Sequence, residues 1–356
     1  MKVFAFYLPQ YHEIPENNQW WGKGFTEWHN VRNSKPLFAS HIQPMLPFQN
    51  FYYDLSDKKT LEWQIEYAKN LCNINGFAIY HYYFNGKHLL EKPAELLLKN
   101  KDLKIEFFFT WANESWTRSW DGKHKDILIE QEYGDTKIWE NHINYLINFF
   151  HDDRYLKIDD MPVLAIYKPI EIEELNKMKE CWEEVLHINN FKGIYLININ
   201  RGIQYDKRKL FNADLIFEPT YTQYSRKIFL WANRIKRLVS KVMIKTIKPN
   251  IIDVKRVYEK SISNEIANKN TYLGAFVNWD NSPRRGAKGT IFINFTVNDF
   301  SSYLEKMLLK AKKYNNQLFF INAWNEWAEG TFIEPSTIYG HQIGMSIKEC
   351  LDERKN

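Results

Sequence analysis

Eight short apolar segments are the feature that most constrains the fold of this chain of 356 residues. Each segment is rich in Ile, Val, Phe and Tyr and is bounded by polar or turn residues. Several are apolar without alternation, as expected of strands that are buried on both faces of a parallel sheet. The segments are Val3–Leu8, Gly76–Tyr83, Ile105–Trp111, Pro162–Tyr167, Gly193–Ile199, Asp214–Phe217, Tyr272–Val277 and Leu318–Ala323.

Helical patterns of apolar residues lie between these segments. Eight alternating strand and helix units predict a (β/α)₈ TIM barrel, with an open doubly wound sheet as the alternative. Nucleotide-binding forms of the open sheet lose support because the chain has no G-x-G-x-x-G or P-loop motif. The patterns cover Leu55–Cys72 (with Ser56 as its expected cap), Thr136–Phe150, Glu171–His187, Val254–Asn268 and Asn298–Tyr314, and more weakly Leu89–Leu98, Gln204–Phe211 and His341–Leu351.

The long connections of the chain come after predicted strands. They form loop insertions at about 9–54, 113–135 and 220–251, whereas the connections that follow helices are short. In a (β/α)₈ barrel the long βα loops build the catalytic face. No linker or repeat interrupts the pattern, so we expect a single (β/α)₈ catalytic domain over residues 1–356.

The positive charge of the chain is concentrated in one segment. The net charge is +5, yet no acidic residue lies between Glu218 and Asp253, where eight basic residues occur, so the rest of the chain is −3 (+5 minus 8). General nucleic-acid binding is therefore not indicated. The segment 226–248 also carries apolar residues at helical spacing. It has three open interpretations: a lid over the cleft, peripheral contact with an anionic membrane, or recognition of a phosphorylated or acidic glycan.

The chain shows no pattern for a disulfide framework, a metal or a cofactor. Its three cysteines, Cys72, Cys181 and Cys350, are far apart and odd in number. No HxH or HExxH spacing occurs, and no stretch reaches transmembrane length. The first residues do not form a signal peptide, because the apolar run is short and Pro9 ends it. We expect a cytoplasmic protein, located at the inner face of the membrane if 226–248 binds lipid.

Two glutamates at the end of the last predicted strand carry the strongest chemical signal. Glu326 and Glu329 lie in the run Trp324-Asn-Glu-Trp-Ala-Glu-Gly330. Residues three apart converge only if the chain leaves the strand and turns, and Gly330 permits such a turn. Cleavage of a glycosidic bond needs one protonated and one ionised carboxyl group side by side. We therefore predict that Glu326 and Glu329 are catalytic. The alternative is a solvated Glu-x-x-Glu at the start of a loop.

Polar and aromatic residues at other strand ends are candidates for sugar binding. Aromatic rings stack on sugars, and polar groups bind the hydroxyls. For any single residue, a structural hydrogen bond or a buried ring that pins a loop is the alternative. The predicted substrate-binding residues are Tyr7, Gln10, His12, Trp21, Glu27 and Trp28 after strand one; His81 and Tyr82; Trp111, Asn113, Glu114 and Trp116; Glu218 and Tyr221; Asn278, Trp279 and Asp280; and Trp324, Asn325 and Trp327.

Several of these runs resemble a known family. The run Tyr7-Leu-Pro-Gln-Tyr-His12, with Gly24-Phe-Thr-Glu-Trp28, His41-x-Gln-Pro44 and Tyr53-Asp-Leu55, resembles the WbsX-type family of bacterial polysaccharide-biosynthesis proteins. The segment Trp324–Thr331 with Ile333-Glu-Pro335 is similar to the catalytic segment of family 99 glycoside hydrolases. Those are endo-acting enzymes on α-mannosides with a (β/α)₈ fold.

The resemblance implies a role for each glutamate. Glu326 would deprotonate the sugar 2-hydroxyl, whose oxygen attacks the anomeric carbon and gives a 1,2-anhydro intermediate. Glu329 would be the general acid and then the base for the acceptor, with net retention. One position departs from the hydrolases, which usually have His where this chain has Ala328. The resemblance therefore does not identify the sugar.

The sequence leads to three functional hypotheses. The first is a retaining carbohydrate-active enzyme of bacterial surface-polysaccharide metabolism, acting by cleavage or transfer on an oligosaccharide or polysaccharide, free or lipid-linked. The second is a nucleotide-sugar-dependent glycosyltransferase, for which 226–248 is the sole candidate diphosphate site. The third is a non-catalytic glycan-binding barrel.

Overall fold

Eight parallel strands close into a barrel in the computed structural model, which describes residues 1–118, 126–224, 248–266 and 270–352. The first strand pairs with both the last strand and the second, which closes the sheet. Each predicted apolar segment overlaps one of these strands, so the predicted fold class is confirmed. The strands are β1 (Lys2–Tyr7), β2 (Gly76–Phe84), β3 (Glu106–Trp111), β4 (Met161–Ile166), β5 (Tyr195–Asn200), β6 (Ala213–Ile216), β7 (Thr271–Phe276) and β8 (Leu318–Asn322).

Aromatic side chains fill the centre of the barrel. The ring of Phe4 lies 5.4 Å from the ring of Phe108 and 6.4 Å from that of Phe320. The absence of a side chain at Gly76 leaves space for the Phe4 ring, because a Cβ at this position would lie 2.4 Å from that ring. The barrel interior is thus a packed core and not a channel.

A second aromatic layer caps this core on the side where the strands end. Phe6 lies 4.9 Å from Phe217 and 5.8 Å from Tyr80, measured between ring centroids. Tyr80 and Phe217 also line the large cavity above them. The aromatic filling of the barrel is therefore also the floor of the candidate site.

Helices surround the barrel and bury one apolar face each. In Thr136–Phe150, for example, Trp139, Ile143, Leu146 and Phe150 are buried at helical spacing. Among the described residues, no helix is long and apolar enough to cross a membrane. The outer helices are α1 (Lys58–Glu66), α2 (Lys92–Lys99), α3 (Thr136–Phe150), α4 (Leu175–Ile188), α5 (Val254–Ser263), α6 (Val297–Lys313) and α7 (Gln342–Asp352); shorter ones are Pro15–Trp21, Trp28–Asn33, Thr220–Tyr224 and Ser282–Arg285.

One predicted helix is wrong. Residues Gln204–Phe211 form a loop between β5 and β6, with Gln204 at a φ of 50°. Arg208 pairs with Asp206 and donates to the carbonyl oxygens of Pro169 and Ile172 at 2.6 and 2.7 Å. These bonds tie the connection to the preceding loop and satisfy its polar groups without a helix.

Smaller differences concern helix ends. Asp57 and not Ser56 caps α1, because its side chain accepts from the Lys59 N–H. Residues Lys87–Leu89 pair with β2 as a strand, and α2 begins only at Lys92. Likewise α4 begins at Leu175 and α5 ends at Ser263, inside the expected ranges. Apart from Lys248, the predicted amphipathic segment 226–248 lies outside the described residues.

Candidate active site

The chain turns sharply after β8. Asn325–Glu326 pairs antiparallel with Thr331–Phe332, and a 3₁₀ turn at Trp327–Glu329 joins the two. Gly330 completes the turn with φ 63°, and Asp280 occupies the space that a Cβ would need. As the sequence predicts, the turn directs Glu326 and Glu329 into one cavity.

Hydrogen bonds to the first strand's loop fix this turn. The Asn325 side chain accepts from the Leu8 N–H at 2.7 Å and donates to the Leu8 carbonyl at 3.0 Å. The Tyr11 hydroxyl donates to the Asn325 carbonyl at 2.6 Å. Asn325 thereby makes the bonds that a neighbouring strand would make, and it holds the turn against the end of β1.

A buried carboxyl group lies beneath the turn. Glu334 accepts from the Tyr53 hydroxyl, from the Gln64 amide and from the Trp327 indole N–H, each at 2.7 Å. Burial raises the pKa of Glu334 to about 7, although these hydrogen bonds oppose that effect. Glu334 therefore anchors Trp327, which lies between the two candidate catalytic residues, from a position outside the cavity.

Arg284 joins three carboxyl groups at the wall of the cavity. Its Nε donates to Glu27 at 2.8 Å, one terminal nitrogen to Glu329 at 2.7 Å, and the other to Glu326 at 3.1 Å. The arginine side chain is 12% exposed and that of Glu27 is 0% exposed. Three carboxylates facing one guanidinium leave two net negative charges if all are ionised. Such an excess of buried negative charge favours protonation of one of the three carboxyl groups.

The two candidate catalytic groups accordingly have raised pKa values. Burial raises the pKa of Glu326 to about 8, against the lowering effect of Arg284 and with Glu329 and Glu27 adding to the rise. Burial also raises the pKa of Glu329, again opposed by Arg284. The pair therefore binds a proton near neutral pH, which is the state that acid and base chemistry by two carboxyl groups requires.

The cavity measures about 1010 Å³, including space that is open to solvent. Its walls combine aromatic rings with polar groups, as sugar-binding sites do. Eight predicted site residues line it: Gln10, Trp21, Tyr82, Glu114, Trp116, Trp279, Glu326 and Glu329.

An ionic cluster lies at the rim. Glu114 pairs with Lys168 at 2.7 Å and lies 3.8 Å from Arg201. The Arg201 guanidinium lies 4.6 Å from the centre of the Tyr167 ring. Tyr167 lines the cavity, so the cluster positions one of its aromatic walls.

Other predicted site residues lie outside this cavity because strand side chains alternate between faces. His81 is 2.9 Å from His142 of α3, nitrogen to nitrogen, whereas its neighbours Tyr80 and Tyr82 face the cavity. Three further residues also face the helix layer: Tyr7 bonds Gln64, Trp111 packs on Trp182, and Trp324 packs on Tyr67.

The remaining predicted residues support the loops. Asn278 and Asp280 line a second cavity behind the turn, and Asp280 bonds His41 and Gln43. His12 is buried and Tyr221 is half-buried, and neither lines the site. The others form hydrogen bonds within the protein. Glu27 bonds Arg284, Trp28 bonds the Tyr53 carbonyl, and Asn113 bonds the backbone of Lys168. Glu218 bonds both Thr222 and Ser261, Asn325 bonds the backbone of Leu8, and Trp327 bonds Glu334.

Sequence reasoning missed Arg284, the residue that joins the carboxyl groups. It lies in the short helix Ser282–Arg285, just past the predicted Asn278–Asp280 strand end. The available signal was two adjacent arginines after a proline in a βα loop. Other cavity residues absent from the prediction are Leu8, Asn17, Tyr80, Ala112, Ser115, Thr117, Leu128, Tyr167, Phe217 and Asn322.

Metal ligation is not suggested by the described residues. Within 1–118, 126–224, 248–266 and 270–352, no group of three or more His, Cys, Asp and Glu side chains is arranged to hold an ion. Glu27, Glu326 and Glu329 converge on a guanidinium instead. No residues for a cofactor are assigned.

Comparison with protein families gives one match over nearly the full chain. The model of the family described as Glycosyltransferase WbsX matches residues 3–344. The protein WxcX of Xanthomonas campestris pv. campestris is 32% identical over 354 residues, in each of two strains. The alignment covers 98% of this chain and 49% of WxcX. The chain thus spans about half the length of the curated relatives it matches.

Comparison with solved structures shows the same fold at low identity. The GH99 endo-alpha-mannosidase from Bacteroides thetaiotaomicron superposes with a TM-score of 0.59 at 13% identity, covering 99% of this chain and 97% of that one. A glycoside hydrolase-like protein superposes with a TM-score of 0.57 at 14% identity, covering 98% and 93%. At such identities the likeness establishes the barrel fold alone.

Proposed function

This chain belongs to the WbsX glycosyltransferase family, and we propose that it cleaves or transfers a glycosyl unit of a bacterial surface polysaccharide with retention of configuration. Family membership makes it a carbohydrate-active enzyme. The retaining mechanism, the catalytic residues and the choice between water and a sugar as acceptor belong to the proposal.

The observation that carries the proposal is the convergence of Glu326 and Glu329 on Arg284. Both carboxyl groups line one cavity, both contact the same guanidinium, and both have raised pKa values through burial. Two carboxyl groups that together hold one proton inside an aromatic-walled cavity can supply the acid and the base for glycosidic bond cleavage. A solvated Glu-x-x-Glu would show neither the burial nor the shared partner.

The proposed reaction has two steps. In the first, Glu326 takes the proton of the sugar 2-hydroxyl, the 2-oxygen attacks the anomeric carbon, and the glycosidic bond breaks as Glu329 protonates the leaving oxygen. In the second, Glu329 takes the proton of the acceptor hydroxyl, which opens the anhydro ring at the anomeric carbon. The 2-oxygen then recovers its proton from Glu326. Two inversions give net retention.

The walls of the cavity are suited to a neutral saccharide. Tyr80, Tyr82, Trp116 and Trp279 offer ring faces and edges to sugars. Burial raises the pKa of Tyr80 and Tyr82 well above the ordinary value, so both keep hydroxyl protons for hydrogen bonding. We propose that these four residues, with Gln10 and Trp21, bind the glycosyl unit next to the carboxyl pair.

The charge of the cavity discriminates against a nucleotide sugar. A diphosphate needs free cationic or N–H donors. Arg284 is the cation among the described residues that line the cavity, and three carboxyl groups hold it. Nucleotide-sugar dependence therefore has no supporting observation in the described part of the chain.

Three wider expectations remain part of the proposal. They are a single catalytic domain over residues 1–356, a cytoplasmic location that includes the inner face of the membrane if the segment 226–248 binds lipid, and an oligosaccharide or polysaccharide substrate that is free or lipid-linked.

The decisive experiment is a substrate screen with the purified protein. Surface glycans and their lipid-linked precursors from the producing organism are incubated with the protein, with and without sugar acceptors. Product mass and anomeric configuration are followed by mass spectrometry and proton NMR. We expect a product of retained configuration. We also expect Glu326→Gln and Glu329→Gln each to lower the rate by about 10²- to 10⁴-fold, the typical range for loss of a general acid or base.

Glu171→Gln is the control, since it removes the same charge from a side chain that is 37% exposed and pairs with Lys168. It should retain the wild-type rate. Inversion of configuration would exclude the two-step route. Dependence on a nucleotide sugar, or binding of glycan that neither Glu→Gln variant alters and no turnover accompanies, would support one of the two alternatives.

A further inference from the structure

Glu27 is an enclosed carboxyl group that faces the site from behind. Its side chain is 0% exposed and it does not line the cavity, so it has no path to a bound sugar. One oxygen accepts from Arg284 at 2.8 Å and from Asn30 at 3.3 Å. The other oxygen has no hydrogen-bond partner among the described residues. Arg284 is therefore the main compensation for this buried charge.

The backbone around Glu27 fixes its place. Its N–H donates to the carbonyl of Gln10, a cavity residue, and it begins the helix Trp28–Asn33, whose Trp28 packs 4.5 Å from Tyr11. The Tyr11 hydroxyl in turn bonds the carbonyl of Asn325, next to Glu326. Glu27 is thus tied to the same framework as the catalytic turn.

We propose that Glu27 is a positioning residue that holds Arg284 against the Glu326 and Glu329 pair and, through its negative charge, sets the pH range over which that pair keeps one proton. This inference rests on the proposed function, because it concerns the protonation state that the proposed reaction uses. Glu27 acts through Arg284 and touches neither substrate nor reacting atom.

The geometry of the guanidinium makes the positioning role specific. Each of its three nitrogens contacts a different carboxyl group, which the planar fork of arginine allows. A lysine at the position keeps the charge but not the three simultaneous bonds. Without Glu27, Arg284 keeps its two bonds to the pair but loses the one that orients it.

The other charged and titratable groups around the pair do not replace Glu27. Tyr11, Tyr80 and Tyr82 face the pair and are neutral, since burial raises their pKa values well above the ordinary range. Arg285 acts on Glu329 from the exposed side of the same short helix. Glu334 accepts its hydrogen bonds from Tyr53, Gln64 and Trp327 and does not contact Arg284.

The sign of the effect follows from Coulomb's law. With all three carboxyl groups ionised the cluster carries two net negative charges, and Glu27→Gln reduces this to one. The proton on the pair is then held less tightly, so the pKa of the pair falls. At an effective dielectric constant of about 20 to 40, one charge roughly 6 Å away shifts a pKa by about one to two units.

The experiment compares pH profiles of wild type, Glu27→Gln, Arg284→Gln, Arg284→Lys and the exposed control Glu171→Gln. The alkaline limb of kcat/KM should move to lower pH by about one to two units in Glu27→Gln and to higher pH in Arg284→Gln. In Arg284→Lys, kcat/KM should fall at the same alkaline pH as in wild type, but kcat should be lower. In Glu171→Gln both quantities should match wild type.

A titration that does not need turnover separates this inference from the proposed function. Protein labelled with ¹³C at the glutamate carboxyl carbons is titrated by NMR, and the pair is assigned with Glu326→Gln and Glu329→Gln. In Glu27→Gln the pKa of the pair measured by this titration should fall by the same amount as the alkaline limb of kcat/KM. Arg284→Gln should raise the pKa of the pair, which tests the charge coupling within the cluster. If Glu27→Gln fails to fold, Glu27→Asp takes its place, and the pKa of the pair should then stay at the wild-type value because the negative charge is kept, while kcat falls.

An unchanged titration of the pair in Glu27→Gln, or an equal shift in Glu171→Gln, would overturn the inference even if the protein is a proven enzyme. Conversely, a protein that turns over no glycan yet shows the shift retains the charge coupling and loses the proposed reaction.

Discussion

At the scale of single residues, Glu326 combines two unfavourable conditions for a charge. Its side chain is 9% exposed, and it has the longest of the three Arg284 contacts, at 3.1 Å. Glu329 is 24% exposed and has a shorter contact of 2.7 Å. The two carboxyl groups therefore meet different surroundings, which in the free protein favour the proton on Glu326. The proposed reaction uses the state in which Glu329 carries this proton and Glu326 is ionised, so it requires the proton on Glu329 once the sugar is bound.

The alkaline limit of activity follows from this arrangement. In the proposed reaction the pair carries one proton, and burial raises the pKa of Glu326 to about 8. As pH rises through about 8 that proton is lost, so kcat/KM should fall above this value. Since the two carboxyl groups titrate together, the pKa that this fall in kcat/KM reports is a property of the pair and not of one residue. A pH–rate profile checks this, and a limb near pH 5 would contradict it.

The same proton links stability to pH. Because the folded pKa of Glu326 is about 8 and its unfolded value is about 4.3, its contribution is complete below about pH 4.3 and is lost as pH rises through about 8. Glu326→Gln mimics the neutral form at all pH values. These two pKa values imply that this variant gains on the order of 4 kcal/mol over wild type at pH 9 relative to pH 5. Urea unfolding at both pH values measures the difference.

Glu171→Gln provides the reference for that measurement, because its carboxyl group is 37% exposed and contacts Lys168. Its stability difference from wild type should be the same at both pH values. If the stability difference between Glu326→Gln and wild type is also the same at both pH values, then Glu326 is ionised from pH 5 to pH 9.

At the scale of elements, the turn after β8 depends on the loop after β7. The Asp280 N–H donates to the Glu329 carbonyl at 2.7 Å, and Gly330 packs directly on Asp280. His41 and Gln43 bond the Asp280 carboxylate from the loop after β1. Loops from three strands thus interlock behind Glu329, and its orientation is set by residues that do not enter the cavity.

A glycine substitution tests this interlock. In Gly330→Ala the new Cβ lies 2.8 Å from the Asp280 N and Cβ atoms, at a φ of 63°. We expect a loss of about 2–4 kcal/mol in unfolding free energy and at least tenfold in kcat, because the bond to Glu329 is displaced. Denaturant unfolding and steady-state kinetics measure both.

Gly340→Ala is the matched control. Its φ is 52°, but a Cβ there meets nothing within 4 Å. Only the backbone cost of about 1 kcal/mol is expected, with kcat unchanged. If both variants behave alike, the contact with Asp280 has no role beyond backbone conformation.

Elements differ in how far the sequence predicts them. Continuous apolar runs such as Val3–Leu8 locate strands well, since strands buried on both faces of a parallel sheet are rich in such runs. Residues 204–211 do not form a helix, because Arg208 binds carbonyl oxygens of a distant loop that no local pattern shows. At the site, the sequence predicts the carboxyl pair. The sequence also assigns His81 and Trp111 to the cavity, but both side chains face the helix layer. The sequence alone does not show which face of a strand each side chain occupies.

At the scale of the whole molecule, Asn325 links the two ends of the barrel sheet. Beyond the β1–β8 pairing, its amide bonds both the N–H and the carbonyl of Leu8. It is 0% exposed, so no water replaces these bonds if they are lost. Closure of the barrel and placement of the turn that carries the candidate catalytic pair therefore depend on the same side chain.

Asn325→Ala tests this dual role. Two buried backbone groups lose their partners, and we expect a loss of about 2–4 kcal/mol with unfolding still in one cooperative transition. Asn148→Ala, at an exposed position of α3 whose amide bonds only carbonyls of its own helix, should stay within about 0.5 kcal/mol of wild type. Urea unfolding followed by tryptophan fluorescence compares them, and equal effects would refute the special role of Asn325.

The order of these parts along the chain has a consequence for biosynthesis. Glu27 and Leu8 lie near the start of the sequence, whereas Arg284, Glu326 and Glu329 come from its last quarter. A polypeptide growing on the ribosome therefore contains Glu27 and Leu8 early and gains Arg284, Glu326 and Glu329 only after most of the barrel has been made. The proposed carboxyl pair is assembled only once β8 has entered the barrel.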